Sequence, residues 1–425
     1  MTTSSTALYT DQYELTMLDA ARRSGTADDR VTFEVFARKL PEGRAHGVFC
    51  GLGRMVDAIE RFSFGPDELE WLASRRIVSD DTLDWLADYR FSGNVYAYRE
   101  GEVYAAGSPL VTIEGTFGES VLLETIILSI LNHDSAVAAA AERLVTAAAG
   151  RPIIEMGSRR VDADAAVAAA RAAWIVGFAS TSNLEAGRRY RIPTAGTAAH
   201  AFTLASGDER SAFAAQIAAQ GTNTTLLVDT YDTEQGIRNA VAVAGPSLGA
   251  IRIDSGDLVE EARRARKLLD ELGASSTRVV FTGDLDEAAL ADLADAPVDG
   301  YGVGTAVVTG GGAPTAGLIY KLVAAGDRLV AKLSPGKATR AGRKWAWRLL
   351  DQAGRAVGED VATVPEPPAR PARALQVDII SEGEVVHRPS LDEVRAHHHA
   401  AIAELPAGRA LPLRFRDTMP GEQHE

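Results

Sequence analysis

The stretch Arg252-Ile253-Asp254-Ser255-Gly256-Asp257 sets two carboxylates three residues apart across a Ser-Gly turn, with an arginine two places before the first. Side chains alternate along a strand, so Arg252 and Asp254 would share one side of it. Acids so placed can hold a ribose diol, directly or through Mg²⁺, or stabilise a developing cationic sugar. The arginine can fork onto a carboxylate or phosphate. The same residues also fit a surface turn, with Asp254 capping a helix and Arg252 paired to a neighbour. A second candidate is the histidine of Gly196-Thr197-Ala198-Ala199-His200-Ala201-Phe202, since only His46, His133 and His200 precede residue 380. Near neutral pH histidine serves as acid, base or nucleophile. The small neighbours of His200 leave space for a ligand, although a buried, hydrogen-bonded histidine fits as well.

Glu155-Met156-Gly157-Ser158-Arg159-Arg160 places adjacent arginines after a turn, a clamp for phosphate or diphosphate. The alternative is a solvated pair starting a helix, but cations at a helix N-terminus oppose its dipole. Gly302-Val303-Gly304-Thr305 and Gly310-Gly311-Gly312 offer bare amides for a phosphate, or plain turns. Neither a Walker A loop nor a suitably placed G-x-G-x-x-G occurs. Asp229-Thr230-Tyr231-Asp232 reads as support or caps rather than as a phosphoribosyl-binding acidic pair. His397-His398-His399 would project about 100° apart on a helix and so cannot converge on one ion. A solvated helix face is expected there.

These residues need elements to position them. From about 150 to 310, short apolar runs end in polar or glycine residues and lead into helical stretches. Glu155, Ser180, Thr197, Asp229, Asp254, Thr282 and Gly304 mark seven such ends, with steps of 25, 17, 32, 25, 28 and 22 residues. Steps of that size are βα units of a parallel sheet, and seven suggest a closed or nearly closed barrel, whose C-terminal strand ends build the active site. The apolar runs named as strands include Trp174 to Phe178 and the segment around Ile192. The span is short for a full barrel, so an irregular parallel α/β barrel is expected. It would pack with an N-terminal α/β domain, 1–140, in which Asp11 caps a first helix, 31–38 alternates as a strand, 92–113 forms short strands, and two helices cover Ser120–Leu131 and Ser135–Ala149. The barrel would span 141–315, and a C-terminal segment, 316–425, would return to the N-terminal domain with strands over 318–333, a Pro-rich link at 363–373 and a helix over 391–403.

The chain has 425 residues, 46% hydrophobic and 24% charged, with net charge −14. That acidic balance argues against nucleic acid or an anionic membrane as main partner. It permits a phosphorylated small molecule held by a local cationic cluster. The single Cys50 suits a reducing compartment. The opening MTTSSTALYTDQYEL lacks a basic-then-apolar pattern, and no run reaches 18 apolar residues. A cytoplasmic protein is the expectation.

Taken together, TDQYELTM, FEVFARKLPEGR, EMGSRR, GFASTSN, GTAAHAF, VDTYDT, RIDSGDL, DGYGVGT, YKLV and Lys332-Leu333-Ser334, in that order over about three quarters of the chain, resemble the nicotinate phosphoribosyltransferase family. The resemblance implies an N-terminal α/β domain on a type II phosphoribosyltransferase barrel. It implies transfer of phosphoribose from 5-phosphoribosyl 1-diphosphate to nicotinate, giving nicotinate mononucleotide and diphosphate, the first step of NAD salvage from nicotinate. ATP hydrolysis would be coupled through a phosphohistidine, with Mg²⁺ required, in a homodimer. By motif, His200 matches the phosphorylated histidine and Asp254 an acid close to sugar and ring. Tyr13, Thr197, Arg252 and Arg159 match the nicotinate site, Tyr13 reaching in from a neighbouring subunit. Arg160, Asp257, Gly283, Gly302, Gly304 and Thr305 match the phosphoribosyl diphosphate site, and Asp254 and Asp257 stand near the Mg²⁺. The chain departs from the family pattern at TAAH, usually T-M-A-H, at Asn132-His133-Asp134-Ser135, and in the Thr-Gly before Asp284-Leu285-Asp286-Glu287. Rival readings are a sibling enzyme acting on nicotinamide or quinolinate, and a noncatalytic phosphosugar-binding barrel.

Overall fold

The computed structural model describes residues 4–332, 339–406 and 410–416, so Leu333 and Ser334 lie outside the described residues. The chain divides into two compact units, one of residues 1–136 and 315–425, the other of 137–314.

The first unit is built on a seven-stranded antiparallel sheet in the order Arg328–Leu329, Leu318–Ala325, Arg30–Ala37, Val111–Thr116, Asn94–Tyr98, Gln376–Ser381, Glu384–Val385. Its interior strand Arg30–Ala37 alternates in sequence, yet every residue after Arg30 is buried. The inward acid is compensated: both Glu34 oxygens accept from Lys344 Nζ at 3.1 Å, and Lys344 is itself buried. A four-stranded sheet, Ala372–Ala374, Trp345–Leu350, Ala356–Ala362 and Leu413–Arg416, completes the unit. Its Arg348 is fully buried against Glu102 and Glu359.

Two local expectations fail here. Asp11 occupies the N-cap position of helix Gln12–Ser24, but its side chain accepts no capping hydrogen bond. The two helices expected after Ser120 are a short Phe117–Val121 and one continuous Glu124–Ala147. Nothing at Asn132-His133-Asp134-Ser135 stops a helix. Those polar side chains bond outward instead, Asn132 Nδ2 to Leu318 O, Asp134 to Arg54 and Ser135 Oγ to Cys50 O. By length and composition the 117–147 segment is apolar enough to cross a membrane, but Ile127 and Leu131 belong to the unit's core and 61% of its most apolar window is buried.

The second unit carries six parallel strands, β1 Ile153–Glu155, β2 Ser180–Thr181, β3 Thr225–Leu227, β4 Ala250–Ile253, β5 Arg278–Phe281 and β6 Gly300–Val303, in the order β2-β1-β6-β5-β4-β3. Helices such as Ala163–Val176, Thr233–Ala244 and Leu258–Glu271 link them, as a parallel sheet requires. Trp174 to Val176 is the last turn of a helix, not a strand, because the alanine-rich run before it propagates until Gly177, at φ 126°, ends it. The strand expected around Ile192 shrinks to one parallel bridge, Thr194 with Thr181. The sheet is therefore an open arc from that bridge to β3, an irregular half-barrel.

Candidate active site

Within the second unit the polar residues gather just past the C-terminal ends of the strands. β4 ends at Ile253, so Arg252 and Asp254 share one side as strand alternation requires. Arg252 is the hub. Its Nη1 donates to Thr197 Oγ1 at 2.6 Å and to Ala198 O at 3.2 Å, and its Nη2 lies 3.6 Å from Asp254 Oδ2. Its Nε is buried and has no hydrogen-bond partner among the described residues. A buried guanidinium with one edge unsatisfied is a built receptor for a carboxylate or phosphate oxygen.

His200 is the first residue of helix His200–Ser206, after an extended Ala199. Its Nδ1 lies 3.1 Å from Thr230 Oγ1 and its Nε2 3.8 Å from Asp254 Oδ2. The imidazole is 40% exposed, open to a ligand rather than locked in a core.

Asp254 is held by two neighbours, Thr282 and Asp229. Its Oδ1 accepts from Thr282 Oγ1 at 2.9 Å. Asp229 Oδ2 accepts from the Asp254 N–H at 2.7 Å and from Ser255 Oγ at 2.8 Å, pinning the turn. Asp257, not Asp254, is the helix cap, accepting from Glu260 N–H at 3.2 Å at the start of Leu258–Glu271. Asp232 likewise caps Thr233–Ala244.

The glycines fit by close approach. A Cβ on Gly283, whose φ is +111°, would stand 2.9 Å from Asp254 O, and one on Gly302 would stand 2.6 Å from Thr282 Cγ2 and 2.7 Å from Met156 Sδ. Gly304 precedes the short helix Thr305–Val308. Arg159 and Arg160 lie exposed in the turn after β1, and among the described residues neither pairs with a carboxylate. Their guanidiniums are not in the Arg252 network. Tyr13 belongs to the other unit, on helix Gln12–Ser24, and is 47% exposed. Desolvation, then Glu124 and Glu14, pushes its hydroxyl up to about 12, so it stays neutral.

The structure thus joins His200, Thr197, Arg252 and Asp254, with Gly283 and Gly302 against their supports. It adds Thr230, Thr282, Ser255 and Glu155, which carried no assigned role. Glu155 is buried at the end of β1, and desolvation raises its pKa while Thr181 and the Gly157 N–H stabilise its charge. Only its place at a strand end signalled it. Among the described residues no group of three or more His, Cys, Asp or Glu could cage a metal ion. In the first unit His398 is buried, its Nδ1 2.9 Å from Gly101 O, and His397 Nε2 lies 3.1 Å from Glu102 Oε2. The expected solvated histidine face is therefore an anchor: the helix uses two of the three to dock.

Comparison with known proteins agrees with this geometry. Residues 8–132 match the model of the nicotinate phosphoribosyltransferase N-terminal domain. The chain is 51% identical to a nicotinate phosphoribosyltransferase of Mycobacterium tuberculosis, covering 94% of this chain and 91% of that protein. It is 36% identical to the Bacillus subtilis nicotinate phosphoribosyltransferase, covering 82% and 74%. The crystal structure of human nicotinic acid phosphoribosyltransferase superposes with a TM-score of 0.84 at 27% identity, covering 96% of this chain and 97% of that one. A chain with this fold, this site and these relatives belongs to the nicotinate phosphoribosyltransferase family.

Proposed function

We propose that the protein transfers the 5-phosphoribosyl group of 5-phosphoribosyl 1-diphosphate to nicotinate, giving nicotinate mononucleotide and diphosphate. The observation that carries this reading is the buried, unpartnered Nε of Arg252, beside Thr197 and Asp254. Nicotinate supplies an anion for that edge, and nicotinamide does not. Its ring nitrogen is already a nucleophile, so no general base is needed. The sugar C1–oxygen bond to diphosphate breaks as the C1–nitrogen bond forms, and the electron pair leaves with diphosphate. Positive charge then grows on the ribose ring, and Asp254, 30% exposed and held by Thr282, stabilises it. Gly302, Gly304 and Thr305 receive the 5-phosphate, while Arg160, Gly283 and Asp257 border the diphosphate. Arg159 reaches toward nicotinate.

Mg²⁺ would accompany the diphosphate, with Asp254 and Asp257 the carboxylates placed to hold it. The carboxylates present fit that role better than a resident ion: Asp254 and Asp257 each already accept a hydrogen bond, and magnesium typically binds through one or two carboxylates plus substrate phosphates. Bound there, it would neutralise the leaving group's charge. ATP passes its terminal phosphoryl group to His200, and water later releases it as phosphate, so the protein is an ATP-coupled ligase. The phosphoryl group would add about two negative charges to the imidazole whose Nε2 lies 3.8 Å from Asp254 Oδ2, an added charge that Arg252, 3.6 Å from the same oxygen, would answer. A homodimer in the cytoplasm completes the proposal. Leu8, Tyr9, Tyr13 and Met17 are exposed apolar side chains that a second copy would cover, Tyr13 meeting the pyridine ring from there.

The test is purified protein with nicotinate, 5-phosphoribosyl 1-diphosphate and Mg²⁺, with and without ATP. Nicotinate mononucleotide formed faster with ATP supports the whole proposal. Product from nicotinamide alone assigns the sibling reaction, and no mononucleotide under any condition leaves a binding protein.

A further inference from the structure

Glu155, the last residue of β1, is fully buried, and no lysine, arginine or histidine pairs with it among the described residues. Both its oxygens are nevertheless engaged. Oε1 accepts from Gly157 N–H, and Oε2 accepts from the Thr181 hydroxyl at the end of β2. Thr181 Oγ1 in turn accepts from Asn183 N–H at 3.0 Å, so its single proton is directed at Glu155. A second bridge joins the same two strand ends: Asn183 Nδ2 donates to Ser158 Oγ at 3.0 Å, while Asn183 Oδ1 caps helix Leu184–Tyr190. Gly157 sits between the two anchor points in sequence. A Cβ there would stand 2.2 Å from Val308 Cγ1 and 3.0 Å from Glu155 Oε1, so bare backbone alone fits between the carboxyl and helix Thr305–Val308. Met156 N–H donates to Val303 O at 2.8 Å, and Arg160 N–H donates to Gly157 O at 2.9 Å, closing the turn that exposes Arg159 and Arg160. Burying an acid without a cation is costly, and this carboxyl is matched to its place by presenting two acceptors to two donors.

We propose that Glu155 is a positioning residue for phosphoribosyl transfer: its carboxyl ties the end of β1 to the end of β2 and fixes the Gly157–Arg160 turn, so that Arg160 meets the diphosphate from a backbone already ordered. This role rests on the transferase reading above, in which Arg160 borders the diphosphate and Thr305 receives the 5-phosphate. Being fully buried, Glu155 acts through Gly157, which it holds from one side while Val308, in the helix that Thr305 opens, closes the other. An arginine on a loose turn must lose freedom when the anion arrives, and a turn braced in advance removes part of that cost. Glu155→Gln keeps the volume and breaks the brace, because an amide that accepts from Gly157 N–H turns its NH₂ toward the Thr181 proton.

The experiment measures binding of inorganic diphosphate with Mg²⁺ by calorimetry, and initial rates of mononucleotide formation, for the full chain, Glu155→Gln, Arg160→Gln and the double variant. Glu155→Gln is expected to weaken diphosphate binding and to raise KM for 5-phosphoribosyl 1-diphosphate roughly tenfold, the scale of one charged hydrogen bond, while KM for nicotinate, set at Arg252, moves less than about threefold. In the Arg160→Gln background the same change adds little, because the charge being positioned is gone. Thr181→Val leaves the carboxyl and removes its second donor, so it shifts diphosphate affinity the same way should Glu155→Gln fail to fold. A lower melting temperature with unchanged diphosphate affinity, or losses from Glu155→Gln and Arg160→Gln that simply add, overturn the proposal. A parent that makes no mononucleotide yet binds diphosphate, with the loss in Glu155→Gln, contradicts the transferase reading and upholds the role of Glu155. A parent without affinity for diphosphate overturns both.

Discussion

Replacing Arg252 by glutamine removes the charge and the fork while keeping much of the stem's volume. In the free protein the side chain is 15% exposed and already donates to Thr197 and Ala198, so its position is set before substrate arrives. The substituted site loses a charge-assisted hydrogen bond to the nicotinate carboxylate, which contributes about 1.5–3 kcal/mol. At about 1.4 kcal/mol per decade, KM for nicotinate rises roughly 10- to 150-fold. KM for 5-phosphoribosyl 1-diphosphate changes far less, and preference for nicotinate over nicotinamide collapses because the distinguishing anion has lost its partner. Arg252→Lys restores charge without the planar fork and recovers only part of the affinity. Initial rates of mononucleotide formation, with each substrate varied in turn, measure all of this. A KM for nicotinate within about threefold of the parent, with selectivity intact, would refute the carboxylate-receptor role, since a lost charged hydrogen bond costs more than that.

Three further outcomes follow from the same geometry. His200→Ala abolishes ATP stimulation and incorporation of label from γ-labelled ATP while leaving a slow ATP-independent transfer; full stimulation in the variant removes His200 from the coupling. Gly302→Ala drives a Cβ to within 2.6 Å of Thr282 Cγ2, displacing the residue that holds Asp254, and lowers kcat/KM on the order of 10- to 100-fold. Adding Thr282→Ser, which lacks that methyl, recovers part of the loss, and no recovery would mean the clash lies elsewhere. Glu102 is largely buried, and although desolvation opposes it, His397 and Arg373 hold its carboxyl down to about 2. Because the folded pKa lies below the unfolded one, its stabilisation is present above about pH 4.5 and fades as pH falls toward 2. The gap in melting temperature between Glu102→Gln and the parent should therefore narrow from pH 6 toward pH 3; a constant gap removes the charge from the account.

Much of the site was legible because strand ends carry their chemistry in a fixed place. Period-two alternation alone put Arg252 and Asp254 on one side of β4. The rhythm of polar marks found the ends of β1, β3, β4, β5 and β6, since each short buried strand stops where a polar residue must meet the site. The illegible parts depended on partners distant in sequence. Glu34 reads as an outward strand residue until Lys344 arrives from 310 residues away, and His398 reads as solvated until Gly101 presents its carbonyl. The break between two expected helices disappears because Asp134 and Ser135 spend their hydrogen bonds on Arg54 and Cys50. Asp229 was placed correctly as a support, but that it clamps the Asp254 turn follows only from the folded contacts.

A structure of the protein with nicotinate bound tests the central claim most directly. The account predicts a carboxylate oxygen within hydrogen-bond distance of Arg252 Nε, beside Thr197, with the ring nitrogen facing the Asp254 side of the site. Nicotinate seated on the exposed Arg159-Arg160 turn, with Arg252 Nε still unpartnered, would contradict it.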